Sequence, residues 1–167
     1  MSRLWVALRA IVYATGFLTL WGWAAWRLRA LDQLVPVRLP AWLMVPGIVL
    51  ILAGAALGLA TVGLFIIAGR GTPAPFDPPK VFVPRGPYRF VRNPMYVGGI
   101  LMLLGFGLYF DSATITLLGL AAFLLVHTFV VVVEEPGLRT RFGRDYEEYC
   151  KTVPRWVPRL PPTQRPT

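Results

Sequence analysis

The chain enters an apolar helix through the sequence Arg85-Gly86-Pro87-Tyr88-Arg89-Phe90-Val91-Arg92-Asn93-Pro94-Met95-Tyr96. Asn93 is expected to cap this helix and Pro94 to occupy its first position, because Asn accepts hydrogen bonds from unpaired amides and Pro lacks the amide proton that would be unpaired there. Arg89 and Arg92 stand on the loop side of the junction, where the helix dipole is also positive. The junction is therefore the predicted binding point for an anionic or electron-rich group.

The composition around this junction is that of an integral membrane protein. Of the 167 residues, 56% are hydrophobic and only 15% are charged, which is outside the range of soluble domains. The 17 Lys and Arg residues exceed the 8 Asp and Glu residues, but they lie between apolar runs and no RNA-binding motif accompanies them. Membrane topology explains them better than nucleic acid does. The single cysteine, Cys150, excludes an intramolecular disulfide. The sequence has no cluster of Cys and His residues that would suggest a metal site.

Four apolar runs predict an all-α fold with four transmembrane helices in one domain, residues 1–167. The predicted spans are residues 4–26, 42–68, 95–110 and 113–133. A proline-rich loop with several aromatic residues, 69–92, is expected to pack against the membrane domain. Gly54 and Gly58 are spaced for a close helix contact. After Glu135, an amphipathic helix is predicted over about 137–151, with Pro136 and Gly137 disturbing the end of the fourth span.

The tight turn at Asp111-Ser112 predicts that the third and fourth spans form an antiparallel hairpin, with Ser112 capping the fourth. Such a hairpin brings Asn93 near Glu134. Five basic residues lie in the loop 70–92 and seven in the tail 139–165, against none in the Asp111 turn. The positive-inside rule therefore predicts cytoplasmic amino and carboxyl termini.

Glu134 and Glu135 end the fourth span, where the helix dipole opposes negative charge, so both carboxylates need partners. The arginines at the start of the third span are candidates, and the alternative is that both glutamates mark the water boundary. His127 lies seven residues before Glu134 and is predicted on nearly the same helix face. It is a candidate base or polar cavity group, or a histidine that hydrogen-bonds a neighbouring helix.

Two segments carry a resemblance to a known family. They are Gly86-Pro87-Tyr88-Arg89-x-x-Arg92-Asn93-Pro94-Met95-Tyr96-x-Gly98 and Glu134-Glu135-x-x-Leu138-x-x-x-Phe142-Gly143-x-x-Tyr146-x-x-Tyr149-x-x-x-Val153-Pro154. In order and spacing they resemble the isoprenylcysteine carboxyl methyltransferases and the related phospholipid methyltransferases. The match covers about residues 80–158. Val130 departs from the pattern, because the carboxyl methyltransferases have an arginine there, and Asn93 stands where many members have His.

The resemblance implies an S-adenosyl-L-methionine-dependent methyltransferase embedded in the membrane, with a lipophilic small molecule or lipid as methyl acceptor. The implied cofactor-binding residues are Lys80, Val81, Phe82, Val83, Tyr88, Asn93, Pro94, Met95, Tyr96, Glu134 and Glu135. Arg89, Arg92 and His127 are candidates for orienting the substrate. The acceptor stays open between a carboxylate, an amine and a thiol. Since the cytosol supplies the cofactor, the cell inner membrane is the expected location.

Two other functions fit parts of the same pattern. Sterol reductases share a similar carboxyl-terminal membrane fold, which makes an NADPH-dependent membrane reductase the enzymatic alternative. A noncatalytic membrane interaction protein that kept the fold is the alternative outside the enzymes. Binding of S-adenosylhomocysteine, of NADPH or of neither ligand distinguishes the three functions.

Overall fold

The computed structural model describes residues 3–35, 37–68 and 84–159, and over these ranges the protein is all-α, as predicted. Short 3-10 turns, Ala30–Gln33, Ala41–Leu43 and Gly86–Arg89, lie between or before the longer helices. The helices are α1 (Arg3–Arg29), α2 (Met44–Ala68), α3 (Pro94–Tyr109), α4 (Ala113–Phe129) and α5 (Glu135–Thr152). One turn of π-helix, Val130–Glu134, joins α4 to α5.

Two helical stretches, Ala41–Phe65 and Ala113–Thr152, are long and apolar enough to cross a membrane, and each has an 18-residue window of mean hydropathy 2.5. Only 17% and 22% of these windows are buried inside the protein. The shorter helix Pro94–Tyr109 is also apolar. So much outward-facing apolar surface does not suit a protein in water. The chain is an integral membrane protein.

Glycines bring α2 and α3 into close contact. A Cβ atom added to Gly54 would lie 2.5 Å from the carbonyl oxygen of Gly98, and one added to Gly105 would lie 2.7 Å from that of Gly47. A Cβ atom on Gly98 would also lie 3.3 Å from the Gly58 amide nitrogen. Only residues without side chains allow the two backbones to come this near. The predicted contact is confirmed at Gly54, and its partner is α3, whereas a Cβ atom added to Gly58 would meet no heavy atom within 4 Å.

The turn between α3 and α4 places the start of α3 beside the end of α4, as the sequence predicts. Asp111 takes a positive φ of 51° in this turn. The Ser112 side chain accepts a hydrogen bond from the Ile115 amide at 3.2 Å, so its predicted capping role is confirmed. At the same end, Asp32 accepts hydrogen bonds from Thr114 N at 3.0 Å and from Thr114 Oγ1 at 2.7 Å, which ties the end of α1 to the start of α4.

The amphipathic helix α5 begins at Glu135, and its backbone breaks at Gly143, where φ is 53° and ψ is −129°. The predicted disturbance beside Pro136 is confirmed as the π-turn that ends immediately before Glu135. Pro136 lies in the first turn of α5, where a missing amide proton costs little, and the π-turn before it carries the chain on from α4. The buried face of α5 forms one apolar cluster that consists of Leu138, Phe142, Tyr146, Tyr149, Cys150 and Val153.

Candidate functional site

The end of α4 and the start of α3 meet at a carboxylate. The Tyr96 hydroxyl donates a hydrogen bond to Glu134 Oε2 at 3.0 Å. Tyr88, on the 3-10 turn before α3, lies close enough for the Glu134 charge to act on it. Burial first, and then this negative charge, raise the pKa of the Tyr88 phenol well above its usual value. The predicted convergence of the two segments is therefore confirmed, and we call Tyr88, Tyr96 and Glu134 the mouth site.

Glu135 does not face the mouth site. Its side chain is only 2% exposed and is surrounded by guanidinium groups. Arg155 Nε and Nη2 donate to it at 2.6 and 3.0 Å, Arg92 Nη1 lies 3.0 Å from Oε1, and Arg139 Nη2 lies 3.2 Å from Oε2. Three cations around one buried carboxylate make a charge cluster whose polar atoms are largely satisfied. Arg92 therefore pairs with Glu135, as the sequence predicted for the arginines before the third span. Arg89, the other arginine of that loop named there, is exposed.

Glu134 has a different environment, although it is the next residue. It is half-buried, and within the described ranges its hydrogen-bond partner is the neutral Tyr96 hydroxyl, with no ion pair to a Lys, Arg or His side chain. A carboxylate in a partly apolar position is stabilised most by a cation. The neighbouring cations are already engaged by Glu135. Glu134 therefore presents a carboxyl group without a cationic partner among the described residues at the mouth site.

The π-turn lies between His127 and Glu135. In an unbroken α-helix, His127 and Glu134 would lie about 20° apart around the axis. A π-turn inserts one extra residue and shifts that register. Trp156 Nε1 donates to His127 Nδ1 at 2.9 Å, and its neighbour Arg155 binds Glu135. His127 therefore has a hydrogen-bond partner in the segment after α5, and its place on one face with Glu134 stays a prediction.

The segment 153–159, here called the strap, runs along the loop before α3. Its backbone pairs with the loop before α3, since Arg92 N donates to Pro154 O at 2.9 Å and Arg159 N donates to Phe90 O at 3.0 Å. The Asn93 side chain donates to the Arg155 carbonyl at 3.2 Å and makes no capping hydrogen bond. Asn93 is the N-cap residue and Pro94 the first residue of α3, as predicted. The predicted capping hydrogen bond from the Asn93 side chain is wrong, because the side-chain amide holds the strap instead.

The structure adds residues that the sequence did not single out. Arg155 and Trp156 anchor the strap, and the Tyr149 hydroxyl donates to the Tyr88 carbonyl at 2.7 Å, which fixes the turn that carries Tyr88. The motif that ends in Val153-Pro154 pointed to this region but not to the two residues after it. Among the predicted cofactor contacts, Pro94 and Met95 begin α3 beside Tyr96. Lys80, Val81, Phe82 and Val83 lie outside the described residues.

Fold and site together define an all-α integral membrane protein with a carboxyl group that lacks a cationic partner among the described residues, and two tyrosines, at one end of a helical hairpin. A family model described as phospholipid methyltransferase matches residues 42–145. The chain belongs to this family. The match spans α2, α3, α4 and the first half of α5, so it includes the whole mouth site and leaves out α1 and the strap.

Two curated relatives of the chain are named for metal resistance. A cobalt-zinc-cadmium resistance protein, CzcN, of Cupriavidus metallidurans is 33% identical over 106 residues, which is 61% of this chain and 45% of the relative. A nickel-cobalt-cadmium resistance protein, NccN, of Alcaligenes xylosoxydans xylosoxydans is 31% identical over 47% of this chain and 36% of its own length.

The third relative carries the name of an enzyme. The protein-S-isoprenylcysteine O-methyltransferase of Schizosaccharomyces pombe is 33% identical over 48% of this chain and 34% of its own length. The chain therefore spans less than half the length of the curated relatives it matches. No solved structure matches the chain significantly.

Proposed function

We propose that this chain is an S-adenosyl-L-methionine-dependent membrane methyltransferase that acts on a lipophilic acceptor at the membrane interface. The observation that carries the proposal is the contrast between Glu134 and Glu135. Glu135 is held by three arginines, whereas Glu134 has a hydroxyl partner and no cation in the described part of the chain. A cationic ligand supplies the charge that Glu134 lacks, and the cofactor has both an ammonium and a sulfonium group.

The residues of the mouth site fit the polar end of that cofactor. Glu134 accepts hydrogen bonds from an amino group or a ribose hydroxyl, while the Tyr96 and Tyr88 phenols remain protonated donors and acceptors. Asn93, Pro94 and Met95 shape the entrance as the first residues of α3, and Lys80 to Val83 are proposed contacts from the loop. Glu135 takes part indirectly, since its arginines fix the end of the helix on which Glu134 stands.

In the proposed reaction the protein positions the reactants and does not act as an acid or a base. The bound cofactor supplies a methyl group that is already activated by its positively charged sulfur. Glu134 and Tyr96 hold one end of the ligand, so that the methyl group and the acceptor stay aligned. The apolar residues of α3 and α4 keep water away from that point. Arg89, exposed beside the mouth site, is placed to contact a lipid phosphate.

The proposed topology puts four spans across the cell inner membrane, with both termini in the cytoplasm. The mouth site lies at the same end of the hairpin as Arg92, Arg139 and Arg155. Basic residues are enriched on the cytoplasmic side of membrane proteins. That side also supplies the nucleotide cofactor, and the bilayer supplies the acceptor from the flank of the helices.

The test uses the full chain purified in detergent. Calorimetry with S-adenosylhomocysteine is expected to show saturable binding, and calorimetry with NADPH is expected to show none. Incubation with cofactor carrying a tritiated methyl group and a polar lipid extract is then expected to label a lipid-soluble product. NADPH binding without S-adenosylhomocysteine binding would replace the proposal with the reductase, and binding of neither ligand would favour the noncatalytic protein.

A further inference from the structure

Trp156 of the strap packs against α4 in a cluster of three rings. The centroid of its indole ring lies 5.3 Å from that of Phe123, in an edge-to-face arrangement, and 5.9 Å from that of His127. Trp156 Nε1 also donates a hydrogen bond to His127 Nδ1 at 2.9 Å. Because an indole N–H group is only a donor, Nδ1 of the imidazole must be the unprotonated acceptor. His127 therefore binds the strap through one defined nitrogen atom.

The strap has two anchors of unequal strength. Arg155 donates two charge-assisted hydrogen bonds to Glu135, at 2.6 and 3.0 Å. Beyond it, residues 157–159 are exposed, and the contact of Trp156 with His127 is a neutral anchor for this part. Hydrogen bonds between neutral groups are weaker than those to charged groups. Loss of the Trp156 contact therefore releases the end of the strap while the Arg155 contact stays intact.

The strap is bonded to the chain segment that connects the two tyrosines of the mouth site. Arg159 N donates to Phe90 O at 3.0 Å, just after Tyr88 in the sequence. The Asn93 side chain donates to a carbonyl oxygen of the strap at 3.2 Å, just before Tyr96. Release of the strap would therefore remove hydrogen bonds from both ends of this connection, and the two phenols would lose a fixed spacing.

We propose that His127 is a positioning residue for the mouth site, because its hydrogen bond with Trp156 holds the strap on the loop before α3 and thereby fixes the two tyrosines that bind the cofactor. The inference rests on the proposed function. His127 acts through the strap in this account and does not contact the cofactor. Trp156 lies beyond residues 42–145, which the family model matches, whereas His127 lies within them. The hydrogen bond thus couples a segment outside the matched region to the site inside it.

The test removes each side of this hydrogen bond in turn. His127→Leu removes the acceptor, and Trp156→Phe removes the donor but keeps an aromatic ring against Phe123. His127→Asn supplies an acceptor oxygen near the position of Nδ1, so it is the conservative variant. Trp42→Phe is the matched control, because Trp42 is 70% exposed and lies in the turn before α2.

Two measurements are made on the full chain in detergent. Calorimetry is expected to show S-adenosylhomocysteine affinity about threefold to tenfold lower in His127→Leu and in Trp156→Phe, as the loss of one neutral hydrogen bond allows. Hydrogen–deuterium exchange of residues 155–159 is expected to be faster in the same variants. His127→Asn and Trp42→Phe should behave like the wild type. The double variant should bind no more weakly than either single variant, because both changes remove the same interaction.

Several outcomes overturn the inference. Wild-type affinity in Trp156→Phe would show that the hydrogen bond does not position the mouth site, and this variant decides the question even where His127→Leu fails to fold. Additive losses in the double variant, or a His127→Asn protein as weak as His127→Leu, would show that the two side chains act separately. Absence of S-adenosylhomocysteine binding by the wild type would instead end the proposed function, and the positioning role with it.

Discussion

Arg155 donates two hydrogen bonds to Glu135, at 2.6 and 3.0 Å, across a separation of 20 residues. This pair fastens the strap to the start of α5. The same pairing raises the pKa of the Arg155 guanidinium, chiefly through the hydrogen bond to Glu135. Because Arg92 binds the same carboxylate from the loop before α3, a single side chain joins three separate segments around the mouth site.

Replacing Glu135 by Gln should destabilise the protein strongly. The change leaves Arg92, whose side chain is 11% exposed, and Arg155, at 29%, without a negative partner. Removing one member of a buried ion cluster costs about 3–5 kcal/mol. Arg139→Gln is the matched control. Its side chain is 47% exposed, so its loss should cost less than about 1 kcal/mol. Unfolding in detergent measures both, and equal stability of the two variants would contradict the assigned role of Glu135.

Replacing Gly143 by Ala should also destabilise the protein, by about 1–3 kcal/mol, because a side chain is strained at a φ of 53° and a ψ of −129°. Gly137→Ala lies in the same helix, where an added Cβ atom meets no heavy atom within 4 Å. That change should stabilise the helix by about 0.5–1 kcal/mol. The midpoint temperatures of thermal unfolding of the two variants should therefore shift in opposite directions relative to the wild type. A shift of both temperatures in the same direction would show that α5 does not bend at Gly143.

Acid should weaken the tie between α1 and α4. Burial tends to raise the pKa of Asp32, but hydrogen bonds from Ser112 and Thr114 and the charge of Arg29 outweigh it and lower the pKa below its usual value. A carboxylate with a lowered pKa in the folded state stabilises the fold above the unfolded pKa of about 3.9, and this contribution is lost as the pH falls through the folded value. Asp32→Asn should therefore be less stable than the wild type at pH near 6, and the difference should shrink below about pH 4. A difference that does not change with pH would exclude the Asp32 carboxylate as its source.

The general course of the chain was predictable from the sequence because it depends on local patterns. Long apolar runs define the helices, the Asp111-Ser112 turn fixes their antiparallel order, and Gly54 permits the close contact with α3. Convergence of Tyr96 with Glu134 follows from that hairpin and needs no further information. These features each depend on residues near one another in sequence or on a single tight turn.

The partners of the two glutamates were not predictable, although adjacent helix residues were expected to face different ways. A run of four valines also gives no sign of the π-turn at Val130–Glu134. The contacts of the strap were equally unpredictable, since Arg155 and Trp156 bind Glu135 and His127, which lie 20 or more residues earlier in the sequence. Asn93 illustrates the same limit, because a residue suited to capping is used here for a contact 62 residues away.

The most direct test of the account is the affinity of S-adenosylhomocysteine for Glu134→Gln, measured by calorimetry in detergent, with Glu147→Gln as a control at an exposed position of α5. A hydrogen bond to a charged group contributes about 1.5–3 kcal/mol. The account therefore predicts that Glu134→Gln weakens binding by about 10-fold to 100-fold, while unfolding shows an intact fold and Glu147→Gln binds like the wild type. Unchanged affinity in a folded Glu134→Gln protein would contradict the claim that this carboxylate holds the cofactor.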